Sequence, residues 1–123
     1  MTPTSLDLFS GIGGPALGFY RAGIETTAFC EIDPHARSIL ALRWPGVPIF
    51  DDVRTLNAQQ LLDSGITLPD IITGGFPCTN ISAVGNREGI HGEESRLWFE
   101  YLRLIEEIKP AFIVAENVVD LRS

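Results

Sequence analysis

Cysteine is scarce in this chain: Cys30 and Cys78 are the two it has among 123 residues. Two cysteines cannot build a disulfide framework, and no CxxC or HxxxH spacing is present to suggest metal ligation. His35 and His91 stand apart from each other, so no metal site is expected. Positive charge is scarce too. Nine Lys and Arg face 16 Asp and Glu, for a net charge of −7. Phosphate contact needs clustered cations, so a surface that grips nucleic acid must lie elsewhere or be locally concentrated. No apolar run approaches the roughly 20 residues of a membrane-spanning helix, so no membrane partner is expected. The opening MTPTSLDLFS lacks the basic start and apolar stretch of a secretory signal, which leaves a cytoplasmic location as the expectation. Internal repeats, low-complexity tracts and linkers are absent as well.

What is there reads as one domain over residues 1–123, with 45% hydrophobic and 20% charged residues. Strand-like and helix-like segments alternate. Ser5–Phe9 is short and apolar and runs into a glycine cluster. Pro15–Ala22 can continue as a helix that stops at Gly23. Glu25–Ile32 is rich in β-branched and aromatic residues and reads as a second strand. Asp33 is placed to cap a following helix with Pro34 at its first position, and Pro45–Gly46 end it. VPIF gives a short third strand, NAQQLLDSG a short helix, and Asp70–Thr73 a fourth strand. A polar, glycine-rich loop is expected over residues 74–92. In EESRLWFEYLRLIEEIK, residues Leu97, Trp98, Tyr101, Leu102, Ile105 and Ile108 recur at three- and four-residue steps, the mark of an amphipathic helix. Ala111–Val118 then supplies a fifth strand. Such alternation predicts a doubly wound, mostly parallel, Rossmann-like α/β sheet.

In that architecture ligands bind at the carboxyl ends of the strands, and the unusual polar residues gather there. FSGIGG follows the first strand. Glu31 and Asp33 follow the second, Asp51 and Asp52 the third. GGFPC follows the fourth, and Glu116–Asn117 close the fifth. Gly11, Gly13 and Gly14 permit a tight turn that a ligand could approach; the plain alternative is an ordinary strand-to-helix turn. The glycine pattern departs from the full GxGxxG of dinucleotide sites. Glu31 could accept from both hydroxyls of a ribose, or be a solvated strand-end carboxylate. Asp52 could accept from an exocyclic amine, although Asp51 beside it could equally cap a turn.

The two cysteines differ. Cys30 sits within an apolar strand and reads as a packed thiol. Cys78 lies past the fourth strand, with Pro77 before it and Thr79, Asn80 and Ser82 after it. A thiol on a proline-stiffened approach at the edge of a site suits a nucleophile. Glu116 ends a very apolar strand, and burial there would favour its protonated form and suit it to hold a proton.

DLFSGIGG, GGFPCTNIS and AENV, in that order and spacing, resemble three signatures of the DNA cytosine-5 methyltransferase family. GEESRLWFE resembles the serine- and arginine-containing turn that the family has before a helix. The resemblance covers nearly the whole chain, and it implies S-adenosylmethionine as cofactor and a flipped cytosine in DNA as substrate. It gives Cys78 the role of nucleophile on cytosine carbon six. Glu116 becomes the group that holds a proton at ring N3. Phe9, Ser10, Gly11, Gly13, Gly14, Glu31, Ile32, Asp52, Val53, Gly75, Phe76, Pro77 and Leu97 match cofactor-side positions. Thr79, Ser82 and Asn117 fall on the substrate side, and Thr79 stands where the family usually has glutamine. Family members, many of them restriction-modification enzymes, continue past ENV with a basic arginine motif, a target-recognition region and a final helix. The resemblance therefore predicts a fold incomplete at its C-terminal side, little activity in isolation, and a complementing fragment or subunit. Two other readings stay open from the residues alone. One is a Rossmann oxidoreductase, suggested by the glycine turn and Glu31; the other is a cofactor- or partner-binding module without turnover.

Overall fold

The strand β1, Thr4–Leu8, carries the sequence TSLDL and is almost wholly buried. It is followed by α1 (Gly14–Arg21), β2 (Glu25–Cys30), α2 (Pro34–Arg43), β3 (Ile49–Phe50), α3 (Ala58–Asp63), β4 (Ile71–Pro77), α4 (Glu93–Ile108) and β5 (Phe112–Val118). The computed structural model describes residues 2–77 and 93–118, and of residues 75–77, 93–95 and 115–118 the backbone alone. All strand pairs are parallel, in the order β3-β2-β1-β4-β5. This is the doubly wound sheet expected from the alternation of segments.

Local chemistry accounts for the helix boundaries. Asp33 caps α2 by accepting from the His35 backbone N–H at 3.2 Å, with Pro34 in the first turn. Asn57 caps α3 through a reciprocal pair with Gln60, which satisfies two backbone donors at once. Past α4, Lys109 turns left-handed at φ 54° before Pro110, which cannot continue the helix.

The core lies on both faces of the sheet. On one face Leu6, Leu8, Ala28, Cys30 and Ile72 pack with Leu61 of α3 and with Tyr101, Leu104 and Ile108 of α4. On the other, Phe29 packs with Ala16 of α1 and Leu40 of α2, flanked by Trp44 and Val47. Successive strand residues point to opposite faces, which is why Phe29 serves one cluster and its neighbours Ala28 and Cys30 the other. Cys30 is buried, as its place in an apolar strand implied.

Three expectations need correction. Gly74–Pro77 belong to β4 rather than to a loop, because β5 offers them a backbone ladder: Gly75 pairs with Glu116, Phe76 with Asn117 and Pro77 with Val118. Pairing here outweighs the poor strand propensity of glycine and proline. On α4 the buried line is Tyr101, Leu104 and Ile108, with Leu97 at its edge, whereas Leu102 is 41% exposed. Finally, the alternation of strands and helices implies a sheet covered on both faces, yet β5 is exposed where its side chains are described: Phe112, Ile113 and Val114 are 68%, 47% and 42% exposed.

Burial leaves a titration signature. It pushes the Cys30 thiol from 9.0 to about 12, helped by the charges of Asp52, Asp51 and Glu31. It also pushes the Tyr101 hydroxyl from 10.0 to about 12, helped by Asp7. The folded chain thus keeps two protons that the unfolded chain gives up, so stability must fall as pH rises through that window. Urea titrations between pH 9 and 12 are expected to show this decline. Tyr101→Phe and Cys30→Ala should each make it shallower; an unchanged slope in both would refute the assignment.

Candidate functional site

Every strand of a parallel sheet ends at the same edge, so the loops after β1, β2 and β3 lie side by side. After Leu8 the backbone leaves the strand sharply. Phe9 adopts φ 54°, a left-handed conformation seldom taken by a bulky residue, and its ring stacks on Tyr101 at 6.5 Å between centroids and 6° between planes. The buried Ser10 donates its hydroxyl to the Asp7 carbonyl at 2.7 Å, while its N–H donates to the Cys30 carbonyl at 3.2 Å. Ser10 therefore fastens the end of β1 to the end of β2.

Glu31 completes the joint. One carboxylate oxygen accepts the Gly11 N–H at 2.7 Å and the other accepts the Asp33 N–H at 2.9 Å. Beneath it, Arg37 of α2 donates to the Glu31 carbonyl at 3.0 Å and to the Ile32 carbonyl at 2.7 Å. Ile32, an apolar residue, stands 62% exposed beside these two charged residues. Arg43, at the last turn of α2, donates to the Ile12 carbonyl at 3.2 Å. The glycine turn and the β2–α2 connection thus form one hydrogen-bonded unit.

The connection after β3 is organised by Asp52. Its side chain accepts from the Arg54 backbone N–H at 2.9 Å and pairs with the Arg54 guanidinium at 2.8 Å. Those bonds hold its carboxyl below the usual carboxylate range, the side-chain bond contributing most. Its carbonyl accepts the N–H groups of Thr55 and Leu56, both at 3.1 Å. The turn-forming role that the sequence left to Asp51 thus falls to Asp52. Val53 is buried in the core below.

The structure separates residues that share a motif. Phe9, Gly11, Glu31 and Ile32 gather at the sheet edge. Ser10 and Val53 are turned inward and hold the loops in place. Leu97 packs at the margin of the core. Gly13, at φ 91°, is shaped by a neighbour: a Cβ there would lie 2.4 Å from the Trp44 ring. Gly14 begins α1. Cys78, Thr79 and Ser82 lie outside the described residues, as do the side chains of Gly75, Phe76, Pro77, Glu116 and Asn117. Their backbone frame is described as far as Pro77 and Val118, the paired ends of β4 and β5. The sequence reading missed Arg37, Arg43 and Arg103. Their signal, an arginine on a helix facing strand-end carbonyls, exists only once the chain is folded.

Comparison with known proteins gives this edge its context. A family model described as C-5 cytosine-specific DNA methylase matches residues 4–123. The chain is 40% identical over 117 residues to Type II methyltransferase M2.BsuMI of Bacillus subtilis, covering 92% of this chain and 28% of that protein. It is 35% identical over 117 residues to Type II methyltransferase M.AquIA of Picosynechococcus, covering 92% of this chain and 47% of that protein. Among solved structures, the Dnmt2 methyltransferase of S. pombe superposes with a TM-score of 0.69 at 25% identity, over 98% of this chain and 37% of that one.

Two glycines test whether packing sets this frame. A Cβ at Gly74 would come within 3.0 Å of both the Leu8 carbonyl and the Tyr101 ring. Gly13→Ala and Gly74→Ala should each destabilise the fold by on the order of 1–3 kcal/mol, through overpacking in both and left-handed strain in the first. Gly14→Ala, with open space at its Cβ, should change stability far less. Urea unfolding of the three variants checks the ranking.

Proposed function

The chain belongs to the C-5 cytosine-specific DNA methylase family, and we propose that it supplies the cofactor-binding and catalytic part of an enzyme that methylates cytosine carbon five in DNA. The observation that carries this reading is the β4–β5 register. It sets Gly75 beside Glu116 and Pro77 beside Val118, so Phe76–Pro77 of the FPC signature and the ENV signature lie on adjacent strands. The loop unit of Phe9, Gly11, Glu31 and Ile32 closes the same edge. The family match across residues 4–123 sets the oxidoreductase alternative aside.

The described residues suit S-adenosylmethionine. Open space surrounds the Cβ position of Gly11, so a ligand can meet that backbone directly. Each Glu31 oxygen holds one backbone N–H, and a carboxylate has about four acceptor sites, so capacity remains for two ribose hydroxyls. The exposed Ile32 offers an apolar face to an adenine ring. Phe9, Asp52, Val53, Leu97 and the Gly75–Phe76–Pro77 segment complete the cofactor side in this reading, with Ser10, Gly13 and Gly14 shaping the turn. When bound, the cofactor supplies an electrophilic methyl group.

The chemistry assigned to the chain is proton and electron management on the base. Carbon five of cytosine is a weak nucleophile. The Cys78 thiolate adds to carbon six, the displaced electron pair moves through the ring toward N3, and the proton held by Glu116 neutralises it there. The resulting enamine is nucleophilic at carbon five and takes the methyl group. Loss of the carbon-five proton to a base then expels the Cys78 thiolate, and return of the N3 proton to Glu116 leaves neutral, aromatic 5-methylcytosine. These steps need the base turned out of the duplex. Thr79, Ser82 and Asn117 belong to the substrate side of the same reading, and a cytoplasmic location to the enzyme as a whole.

The same reading includes a complementing polypeptide. Parallel strands are normally covered on both faces, yet neighbouring residues of β5, which point to opposite faces, are exposed: Phe112, Ile113 and Val114. The relatives above are longer, the chain spanning 28% and 47% of them. We assign the cover of β5, and the cations that grip DNA, to that further polypeptide.

The experiment joins the chain with the segment that follows ENV in a full-length relative and presents 5-fluorocytosine DNA with S-adenosylmethionine. A covalent protein–DNA complex is expected, lost in Cys78→Ser, with little product from the chain alone. No adduct from the joined protein, while the intact relative forms one, would sink the assignment; adduct formation unaffected by Cys78→Ser would move the nucleophile elsewhere. Separately, Glu31→Ala should weaken S-adenosylmethionine binding by about tenfold or more, the scale of losing hydrogen bonds to a charged group.

A further inference from the structure

We infer that Arg103 is a positioning residue for the S-adenosylmethionine pocket, holding the Asp52–Val53 segment in place from α4. The inference rests on the cofactor reading above and adds to it a part of the machinery that lies outside the signature motifs.

Arg103 lies in the C-terminal half of α4, and its guanidinium is spread over four acceptors. Nη2 donates to the Val53 carbonyl at 3.0 Å and to the Leu56 carbonyl at 2.8 Å. Nε donates to Glu100 at 3.0 Å and Nη1 to Glu107 at 2.7 Å. Glu107 passes the hold onward, its other oxygen accepting the Ala58 N–H at 3.0 Å. One arginine and one carboxylate therefore engage three backbone groups of the β3–α3 connection: two carbonyls and the first N–H of α3.

Geometry separates this from an ordinary surface ion pair, which contributes little to stability. The two carbonyls belong to residues whose side chains are buried, Val53 and Leu56. The Asp52 carbonyl accepts from Thr55 and Leu56, so the turn moves as a unit and fixing its carbonyls fixes Asp52. A planar fork can reach both carbonyls and both carboxylates together, which a lysine ammonium cannot do with the same directions. Two residues earlier on the same helix, Tyr101 stacks on Phe9. Helix α4 thus touches two cofactor-side segments through different sides, and its chain begins shortly after the stretch that opens at Cys78.

Calorimetric titration with S-adenosylmethionine, together with amide hydrogen exchange, decides the point. Arg103→Met should weaken binding by about tenfold and accelerate exchange in residues 53–58 while leaving β1 unchanged. Arg103→Lys should recover part of the affinity. In a double variant with Asp52→Asn the two losses should overlap rather than add, because both act through one segment. A purely structural role predicts additive losses and a general rise in exchange. If Arg103→Met fails to fold, Arg103→Lys and Glu107→Gln carry the same comparison. A parent that binds the cofactor beside an Arg103→Met that binds it equally well overturns this inference alone. A parent that binds none overturns the cofactor reading and this inference with it.

Discussion

The constraint on which the rest depends is that all five strands run the same way. Parallel strands cannot be joined by tight turns, so each connection crosses back along a face of the sheet, and each strand delivers its outgoing loop to one edge. That edge is thereby crowded with backbone N–H and C=O groups that the ladders no longer satisfy. Left unpaired and half-buried, each would cost free energy comparable to a lost hydrogen bond. Side chains answer this need: Glu31 takes the N–H groups of Gly11 and Asp33, Arg37 the carbonyls of Glu31 and Ile32, Arg43 that of Ile12, and Arg103 those of Val53 and Leu56. Glu31, proposed above to hold a ribose, is thus also one of the residues that satisfy the loops.

This puts the charge of the chain in a different light. Nine Lys and Arg already look too few for a DNA-binding surface. Arg37, Arg43 and Arg103 are turned onto carbonyls of the chain itself, and Arg54 is paired with Asp52. Cations engaged in this way cannot also neutralise phosphates without releasing the loops. The acidic balance therefore fits the division of labour proposed above, in which the described part of the chain builds the frame and the cations that grip nucleic acid are supplied by further polypeptide.

Much of the fold was legible because its signals are local. Asp33–Pro34 and the Asn57–Gln60 pair mark helix starts by chemistry that acts within one turn. Cys30 could be recognised as a packed thiol from the apolar strand around it. The errors arose where a distant partner decides. Gly74–Pro77 read as loop because nothing local favours a strand there; the ladder with Ala115–Val118 does. Leu102 and Leu104 lie about 200° apart around α4, and only the packed sheet says which is inside. The packing of Gly13 against Trp44, far along the sequence, was likewise invisible locally. Ser10 and Val53, named for the cofactor side, are turned inward, Ser10 onto the Asp7 carbonyl and Val53 into the core. Position in a motif was visible in the sequence, whereas the direction a side chain faces was not.

The β4–β5 pair connects these points. It is the most extended ladder in the sheet, running in unbroken register from Ile71–Phe112 to Pro77–Val118. Its first half is anchored, since Ile71–Gly74 also pair with β1. Its second half has only β5 as its described strand partner, while β5 itself is exposed where its side chains are described. The two chemical signatures of the family therefore sit on the part of the sheet with least support, while the cofactor-side loops sit on the part with most. For a methyl transfer the two halves must be held to a fraction of an ångström of each other, because misplacement of reacting groups is costly in rate. On the reading proposed above, a sheet supported in this uneven way holds its small cofactor at the well-built edge. On the proposed reading, alignment of a base with that cofactor waits on a cover for β5, and further polypeptide there acts on catalysis by stiffening the ladder that carries both signatures.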